Sequence, residues 1–351
     1  MSDKTKQSQK SGDNSTNLQA QNLIVNQGLS YGDVKEIALD IFNTNFLELS
    51  QEALQTAVKR AEEITNKFIE KLKIEKPGTI DAVKDPGFQY ALFEAQKSYA
   101  KTGDKDMSDV LIDVLVDRVE HGERDLRQIV LDECISVIPK LTSSQLDTLT
   151  IVFLLKYTRN FNIGDFSSLK QYLEVYIKPF VDNLSKEQSL FQHLQFAGCG
   201  SLSIGSSKIE AIYKKTYRGL FFQGFDQAAF EAQVGDFEKY GATTTKCLND
   251  DQKLQINAID EEALDKVAKD RNLDEDVSKK LKTMFNQNLM PDSVIKDKLI
   301  QLTDGFMKKL FDIWDNSAMK NMTLTSVGIA IAQANFRRKT GITLDLSVWI
   351  K

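Results

Sequence analysis

The residues best suited to ligand chemistry lie in one loop rich in glycine and serine. This loop runs from Gly198 to Ser207 and holds Gly198, Cys199, Gly200, Ser201, Gly205 and Ser206, with Lys208 directly after it. Backbone N–H groups that lead into a helix beginning near Lys208 predict a cradle for a nucleotide or another anion. The loop lacks the Lys-Ser/Thr end of a P-loop and the spacing of the dinucleotide fingerprint. A tight turn between domains is therefore the alternative interpretation.

Two histidines are the only side chains that ordinarily titrate near neutral pH. His193 stands six residues before Cys199, which suggests a Cys–His nucleophile pair. His121 follows Arg118 too closely to match the familiar helical ribonuclease motif. A buried thiol, a core histidine and a histidine that caps a helix end are the default explanations of these residues. We therefore predict no catalytic site, and a cryptic hydrolase or nuclease that uses His193 and Cys199, or His121, is the alternative.

The cysteines and carboxylates give no sign of a cofactor. Cys134, Cys199 and Cys247 are odd in number, far apart and not paired with histidines at ligand spacing, which argues against a disulfide framework or a zinc site. Asp109, Asp113 and Asp117 recur every four residues, a stripe that is usually solvated. We predict neither a metal site nor a cofactor.

The charge balance disfavours a mainly electrostatic nucleic-acid binder. The chain has 45 Lys and Arg against 50 Asp and Glu, a net charge of −5. Two local segments, 213–218 and 335–339, combine aromatic side chains with three cations each and could contact phosphate. Cations that complement the end of a helix explain the second segment equally well.

Two features indicate self-association. Residues 12–28 are dense in Asn and Gln around a short apolar centre, a composition that can make β contacts between chains. The helix predicted after Ser50 has a nearly heptad stripe that could pair with a partner helix or pack on its own chain. The predicted contact residues are Leu18, Leu23, Ile24, Val25, Leu54, Ala61 and Phe68. A disordered linker that ends in one strand is the alternative for the first feature.

The sequence predicts a mainly α fold of multi-helix bundles. Only 5 prolines in 351 residues allow long helices. Ser30 and Asp33 stand at capping-box spacing, and the apolar run around Ile151 predicts a central buried helix over 142–158. Residues 342–350 alternate apolar and polar side chains, which predicts a C-terminal strand. We expect this strand to pair with the β-prone segment 18–25.

Composition shifts divide the chain into five predicted parts. These are a mobile tail (1–28), an amphipathic helical pair (29–76), a central helical bundle (88–197), a glycine-rich loop with helices (198–241) and a C-terminal helical region that ends in a strand (242–351). The start of the chain does not resemble a secretory signal, and no apolar run approaches the length of a membrane span. We therefore expect a cytoplasmic protein.

Several segments together resemble an uncharacterised family of bacterial cytoplasmic proteins. They are Gly12–Gln19, Gly28–Asp40, Asp85–Leu92, Gly198–Ser201 and Thr325–Ala332. The resemblance supplies no catalytic residues. The front end is similar to short motifs attached to bacterial defence and signalling proteins, which implies a role in anti-phage defence or stress.

The leading hypothesis is a self-associating scaffold or sensor without an enzymatic activity, which could also take a protein partner. A cryptic hydrolase or nuclease is the second hypothesis. A nucleotide-binding or anion-binding module built on the Gly198 to Ser207 loop is the third.

Overall fold

The computed structural model describes residues 29–45, 49–119 and 125–351, and these residues form a mainly α-helical fold. The predicted fold class is therefore confirmed. Sixteen α-helices occur in these ranges: α1 (Tyr31–Asn45), α2 (Gln51–Glu75), α3 (Pro86–Thr102), α4 (Lys105–Val119), α5 (Leu126–Val137), α6 (Ser143–Lys156), α7 (Phe166–Tyr172), α8 (Gln188–Phe196), α9 (Ile209–Thr216), α10 (Gln227–Gln233), α11 (Phe237–Tyr240), α12 (Glu261–Asp270), α13 (Glu275–Gln287), α14 (Asp292–Gln301), α15 (Phe306–Asp315) and α16 (Ser326–Thr340).

Two small antiparallel sheets interrupt the helices. Strand β1 (Gly200–Leu202) pairs with β4 (Met322–Leu324), and Gly200 lies opposite Leu324. Strand β2 (Thr244–Lys246) pairs with β3 (Leu254–Ile256). The first sheet corrects the prediction that residues 198–207 form only a loop, because Gly200–Leu202 form strand β1. That strand was not visible in the sequence, since its partner lies more than a hundred residues later in the chain.

Helix α6 is the central buried helix, as predicted. Thr142 and Gln145 form a capping box at its start, and every side chain from Gln145 to Leu155 is buried. It packs along α16, where Asn335 donates to Asp147 Oδ1 (3.0 Å) and to Thr150 Oγ1 (2.9 Å). These hydrogen bonds satisfy polar groups inside the core and fix the register of the two helices.

Gly328 allows the backbone at Cys199 to lie close to helix α16. A methyl group at this position would overlap the Cys199 carbonyl oxygen, which accepts a hydrogen bond from Thr325 N (3.1 Å). We expect Gly328→Ala to lower the free energy of unfolding by about 1–3 kcal/mol, because two backbones must separate. Urea denaturation measures the loss. Gly164→Ala is the matched control, since nothing lies within 4 Å of its added methyl group, and an equal loss in both variants would contradict the close approach.

A cluster of ion pairs joins α2, α4 and α16 and corrects the prediction that the acidic stripe of α4 is solvated. The Asp113 side chain is 1% exposed; it contacts Lys71 and lies 2.9 Å from Arg337 Nε. Arg337 also contacts Asp117 at 3.0 Å. Burial raises the pKa of Asp113, although both cations oppose that shift. Asp113 and Asp117 face inward because α16 presents Arg337 to them, whereas the Asp109 side chain stays 42% exposed and pairs with Lys67.

The predicted C-terminal strand is wrong. Residues Leu346–Val348 form a 3₁₀ turn, and Ile350 N donates to Leu346 O at 3.1 Å. Asp345 caps this turn by accepting from Ser347 N. The Trp349 indole donates to Tyr157 O at 2.9 Å. Side chains and the local turn therefore satisfy backbone groups that a partner strand would otherwise have to satisfy, and the proposed partner, 18–25, lies outside the described residues.

Hydrophobic residues from α1 to the C-terminal turn contribute to one large core cluster. A second cluster joins buried side chains between Phe222 and Phe285. The five-part division of the chain stays a prediction.

Candidate functional site

A cleft of about 1090 Å³ lies beside α9, between the end of α6 and the turn that begins α12. The residues that line it include five cations and three carboxylates. They are Leu155, Lys156, Tyr157, Thr158, Arg159, Ser206, Ser207, Lys208, Ala211, Ile212, Lys215, Thr216, Arg218, Asp260, Glu261, Glu262 and Thr323. The wall beside α9 is therefore basic, and the turn at 260–262 is acidic.

Hydrogen bonds hold the loop before α9 in place. Asn321 Nδ2 donates to Gly205 O at 3.0 Å, and the Trp314 indole donates to Ser207 O at 2.6 Å. Ser207 N in turn donates to Lys320 O at 3.2 Å. Side chains and backbone thus anchor this loop to the segment that leads into β4. The rim of the cleft is consequently positioned before any ligand arrives.

Two lysines on one face of α9 are free to bind an anion. Lys208 is the N-cap residue and Lys215 lies two turns further on; both are exposed and line the cleft. Within the described part of the chain, neither side chain has an ion pair or a hydrogen bond. The Ser206 and Ser207 hydroxyls likewise have no partner there. A phosphate group could gain charge-assisted hydrogen bonds from such donors.

Lys156 is a partly buried cation that lines the cleft. Its ammonium donates to the carbonyl oxygens of Lys320 and Met322, each at 2.8 Å, and lies 5.3 Å from the Trp314 ring centre. Burial lowers the pKa of this ammonium to about 8. Two of its three N–H donors are used by the carbonyls.

The two arginines of the cleft are already paired with the acidic turn. Arg159 contacts Asp260, and its Nη1 lies 3.7 Å from Glu262 Oε2. Arg218 Nη1 lies 2.6 Å from Glu261 Oε1. These pairs neutralise part of the basic wall. The lysines, rather than the arginines, carry the unbalanced positive charge.

The structure brings only part of the predicted loop to the cleft. Ser206 and Lys208 line it, whereas Gly205 supports the loop through its carbonyl oxygen. Gly200 and Ser201 belong to β1, where the Ser201 hydroxyl pairs with the hydroxyl of Thr323 (2.8 Å). Gly198 O accepts from Thr325 Oγ1 at 2.6 Å. Cys199 is buried.

The residues of the proposed Cys–His pair have different partners. Burial raises the pKa of the Cys199 thiol to about 12, and its sulfur lies 3.9 Å from Ala197 O. His193 Nδ1 lies 2.8 Å from Gln145 Nε2, which as an amide nitrogen donates to it. His121 lies outside the described residues.

The predicted self-association residues differ in their exposure to solvent. Ala61 and Phe68 are fully buried in the core of the chain, whereas Leu54 is 40% exposed. Leu18, Leu23, Ile24 and Val25 lie outside the described residues.

Most of the cations in the two basic segments are paired within the chain. Arg337 contacts Asp113 and Asp117, Arg338 contacts Asp106 at 2.7 Å, and Lys339 contacts Asp147 at 2.7 Å. In the other segment, Lys214 pairs with Asp292 (3.0 Å) and Arg218 with Glu261. Lys215 is thus the one unpaired cation of 213–218 and 335–339.

Sequence reasoning missed Lys156, Arg159 and the acidic turn. Lys156 follows directly on the longest apolar run of the chain, and Arg159 comes three residues later. A charged residue at the end of a fully buried helix must reach solvent or a cleft, and this was the signal available for them. The acidic turn offered no such signal, because carboxylates are plentiful in this sequence.

Within residues 29–45, 49–119 and 125–351, no group of three or more His, Cys, Asp or Glu side chains could hold a metal ion. Across the same ranges, no helix is both long enough and apolar enough to cross a bilayer.

Comparison with known proteins gives a family but no activity. No curated protein and no solved structure matches the chain. A protein-family model matches residues 28–350, and its description names no activity, substrate or ligand. The chain therefore belongs to this uncharacterised family over nearly its whole length.

Proposed function

We propose that the chain is a binding module for a phosphate-bearing small molecule, which it holds in the cleft beside α9. The observation that carries the proposal is the pair of unpaired lysines, Lys208 and Lys215, on a cleft wall that also holds two free serine hydroxyls. The five cations outnumber the three carboxylates of the lining, so the cleft favours an anion. The bonds that anchor Gly205 and Ser207 favour a preformed site.

A thermal unfolding experiment with inorganic pyrophosphate tests this proposal. A ligand that binds only the folded state stabilises it by about 2.7 kcal/mol at a hundred times its dissociation constant. We therefore expect the midpoint to rise by several degrees with pyrophosphate and to stay unchanged with sodium chloride of equal ionic strength. Equal responses to the two salts would contradict a specific anion site.

Binding should weaken at alkaline pH because Lys156 loses its charge. Its pKa is lowered to about 8. Sulfate is the probe, since its charge stays constant. We expect its affinity to fall several-fold from about pH 7 to about pH 9, because the neutral amine no longer attracts the anion. Calorimetry measures this profile.

Lys156→Arg is the control for this profile. The guanidinium stays protonated in the range tested, so the fall in affinity should largely disappear. A fall of equal size in both proteins would exclude Lys156 as its cause.

Self-association is the second candidate function, and the Asn- and Gln-rich composition of residues 12–28 favours it. Light scattering of the full chain and of a variant without residues 1–28 tests this idea. We expect the full chain to have the mass of an oligomer and the truncated chain to have the mass of a monomer. A full chain that is strictly monomeric would remove the scaffold or sensor hypothesis.

A further inference from the structure

The cleft has different chemistry at its two ends. Helix α9 has 8 residues, which corresponds to a length of about 12 Å. Ser206, Ser207 and Lys208 lie at its start, whereas Arg218 and the acidic turn lie beyond its end. Lys215 is two turns after Lys208 on the same face. A ligand that fills the cleft therefore contacts cations along α9 and both carboxylates and arginines at the far end.

An exposed aromatic ring, which is not itself part of the lining, lies against Arg159 at the far end of the cleft. Phe161 is 76% exposed, and the guanidinium carbon of Arg159, which lines the cleft, lies 4.7 Å from the centre of its ring. Exposed phenylalanine is costly in water and offers a flat π-face. Arg159 and Phe161 together present the kind of stacking surface on which planar heterocycles bind.

The acidic turn supplies acceptors beside this surface. The Glu262 side chain is 83% exposed, and its carboxylate lies 3.7 Å from Arg159 Nη1. Glu261 is half-exposed and pairs with Arg218. Carboxylates accept hydrogen bonds from hydroxyl and amino groups and repel phosphate. The far end thus suits the uncharged part of a ligand and disfavours its phosphates.

We infer that the ligand is a nucleoside diphosphate, whose base stacks on Phe161 and whose diphosphate spans Lys208 and Lys215. The inference rests on the proposed function and adds the ligand class to it. Sugar hydroxyls then lie near Glu261 and Glu262.

Calorimetric titration of the full chain with pyrophosphate and with ADP, GDP, UDP and CDP tests the inference. Phe161→Ala is the informative variant, because the side chain is exposed and its removal leaves the core intact. Phe196→Ala is the matched control, since Phe196 is 87% exposed and, in the described part of the chain, has no cation–π contact with a residue of the lining such as Phe161 has with Arg159. We expect Phe161→Ala to lower the affinity for at least one nucleoside diphosphate by about tenfold or more, as expected for a stacked base.

The pyrophosphate arm separates the inference from the proposed function. The affinity for pyrophosphate should change by less than about twofold in Phe161→Ala. Phe196→Ala should change neither the affinity for pyrophosphate nor the affinity for the nucleotides. If pyrophosphate binds but Phe161→Ala leaves all four nucleotides unaffected, the nucleotide inference fails and the anion site stands. If neither pyrophosphate nor any nucleotide binds, both proposals fail.

Discussion

Replacing Arg337 with methionine is expected to lower the free energy of unfolding by about 3–5 kcal/mol, because it leaves the buried carboxylate of Asp113 without its main partner. The Arg337 side chain is 8% exposed and bridges Asp113 and Asp117, while its Nη2 also donates to Asp113 O at 2.7 Å. The substitution keeps most of the apolar volume, so the loss reports on the charge. Urea denaturation monitored by circular dichroism measures it.

Lys280→Met is the control for this prediction. Lys280 pairs with Asp276 on the surface of α13, where both side chains are well exposed. Such pairs contribute at most about 1 kcal/mol. A loss of similar size in the two variants would mean that the cluster around Arg337 is solvated, as the sequence alone indicated.

Reversing the charge of both Lys208 and Lys215 is expected to weaken pyrophosphate binding by about a hundredfold or more. Each charge-assisted hydrogen bond contributes roughly 1.5–3 kcal/mol, and the new carboxylates also repel the ligand. The double variant Lys208→Glu, Lys215→Glu should keep its thermal stability, because both side chains are exposed and unpaired in the described part of the chain. Calorimetric titration gives the affinity.

A control with the same change in net charge separates local contacts from the overall field. Lys246→Glu combined with Lys279→Glu changes two lysines that are 68% and 72% exposed and lie outside the cleft. We expect this variant to bind pyrophosphate within about threefold of the unmodified protein at physiological salt, where distant charges are screened. Equal losses in the two double variants would contradict a local site.

Local patterns predicted the helical elements well. The capping box at the start of α1 is present: Ser30 N donates to Asp33 Oδ2 at 2.6 Å, and Asp33 N donates to Ser30 Oγ at 3.2 Å. The buried helix α6 followed from its apolar run, and the start of α9 followed from the glycine-rich loop before it. Each of these features depends on residues within a few turns of one another.

Features that depend on distant residues were not predictable. Asp113 is buried because Arg337 lies against it, and the two residues are separated by more than two hundred positions. The C-terminal segment alternates in polarity, yet Asp345 and Tyr157 direct it into a turn. A single sequence shows which side chains can pair but not which ones meet.

The candidate site likewise contains some residues that local patterns identified and others that depend on distant parts of the chain. Ser206 was identified because it lies in the glycine-rich loop, Lys208 because it follows that loop, and Lys215 because it lies in a basic segment. Lys156 and Arg159 come from α6 and the residues after it, and Asp260 comes from the turn before α12. Only the folded chain places Lys156, Arg159 and Asp260 beside the loop and α9, around one cleft.

A crystal structure of the full chain grown with saturating pyrophosphate tests the central claim most directly. The account predicts tetrahedral density between the side chains of Lys208 and Lys215, with the Ser206 or Ser207 hydroxyl in hydrogen-bonding distance. Density at another surface, or an empty cleft under conditions in which calorimetry shows saturation, would contradict it.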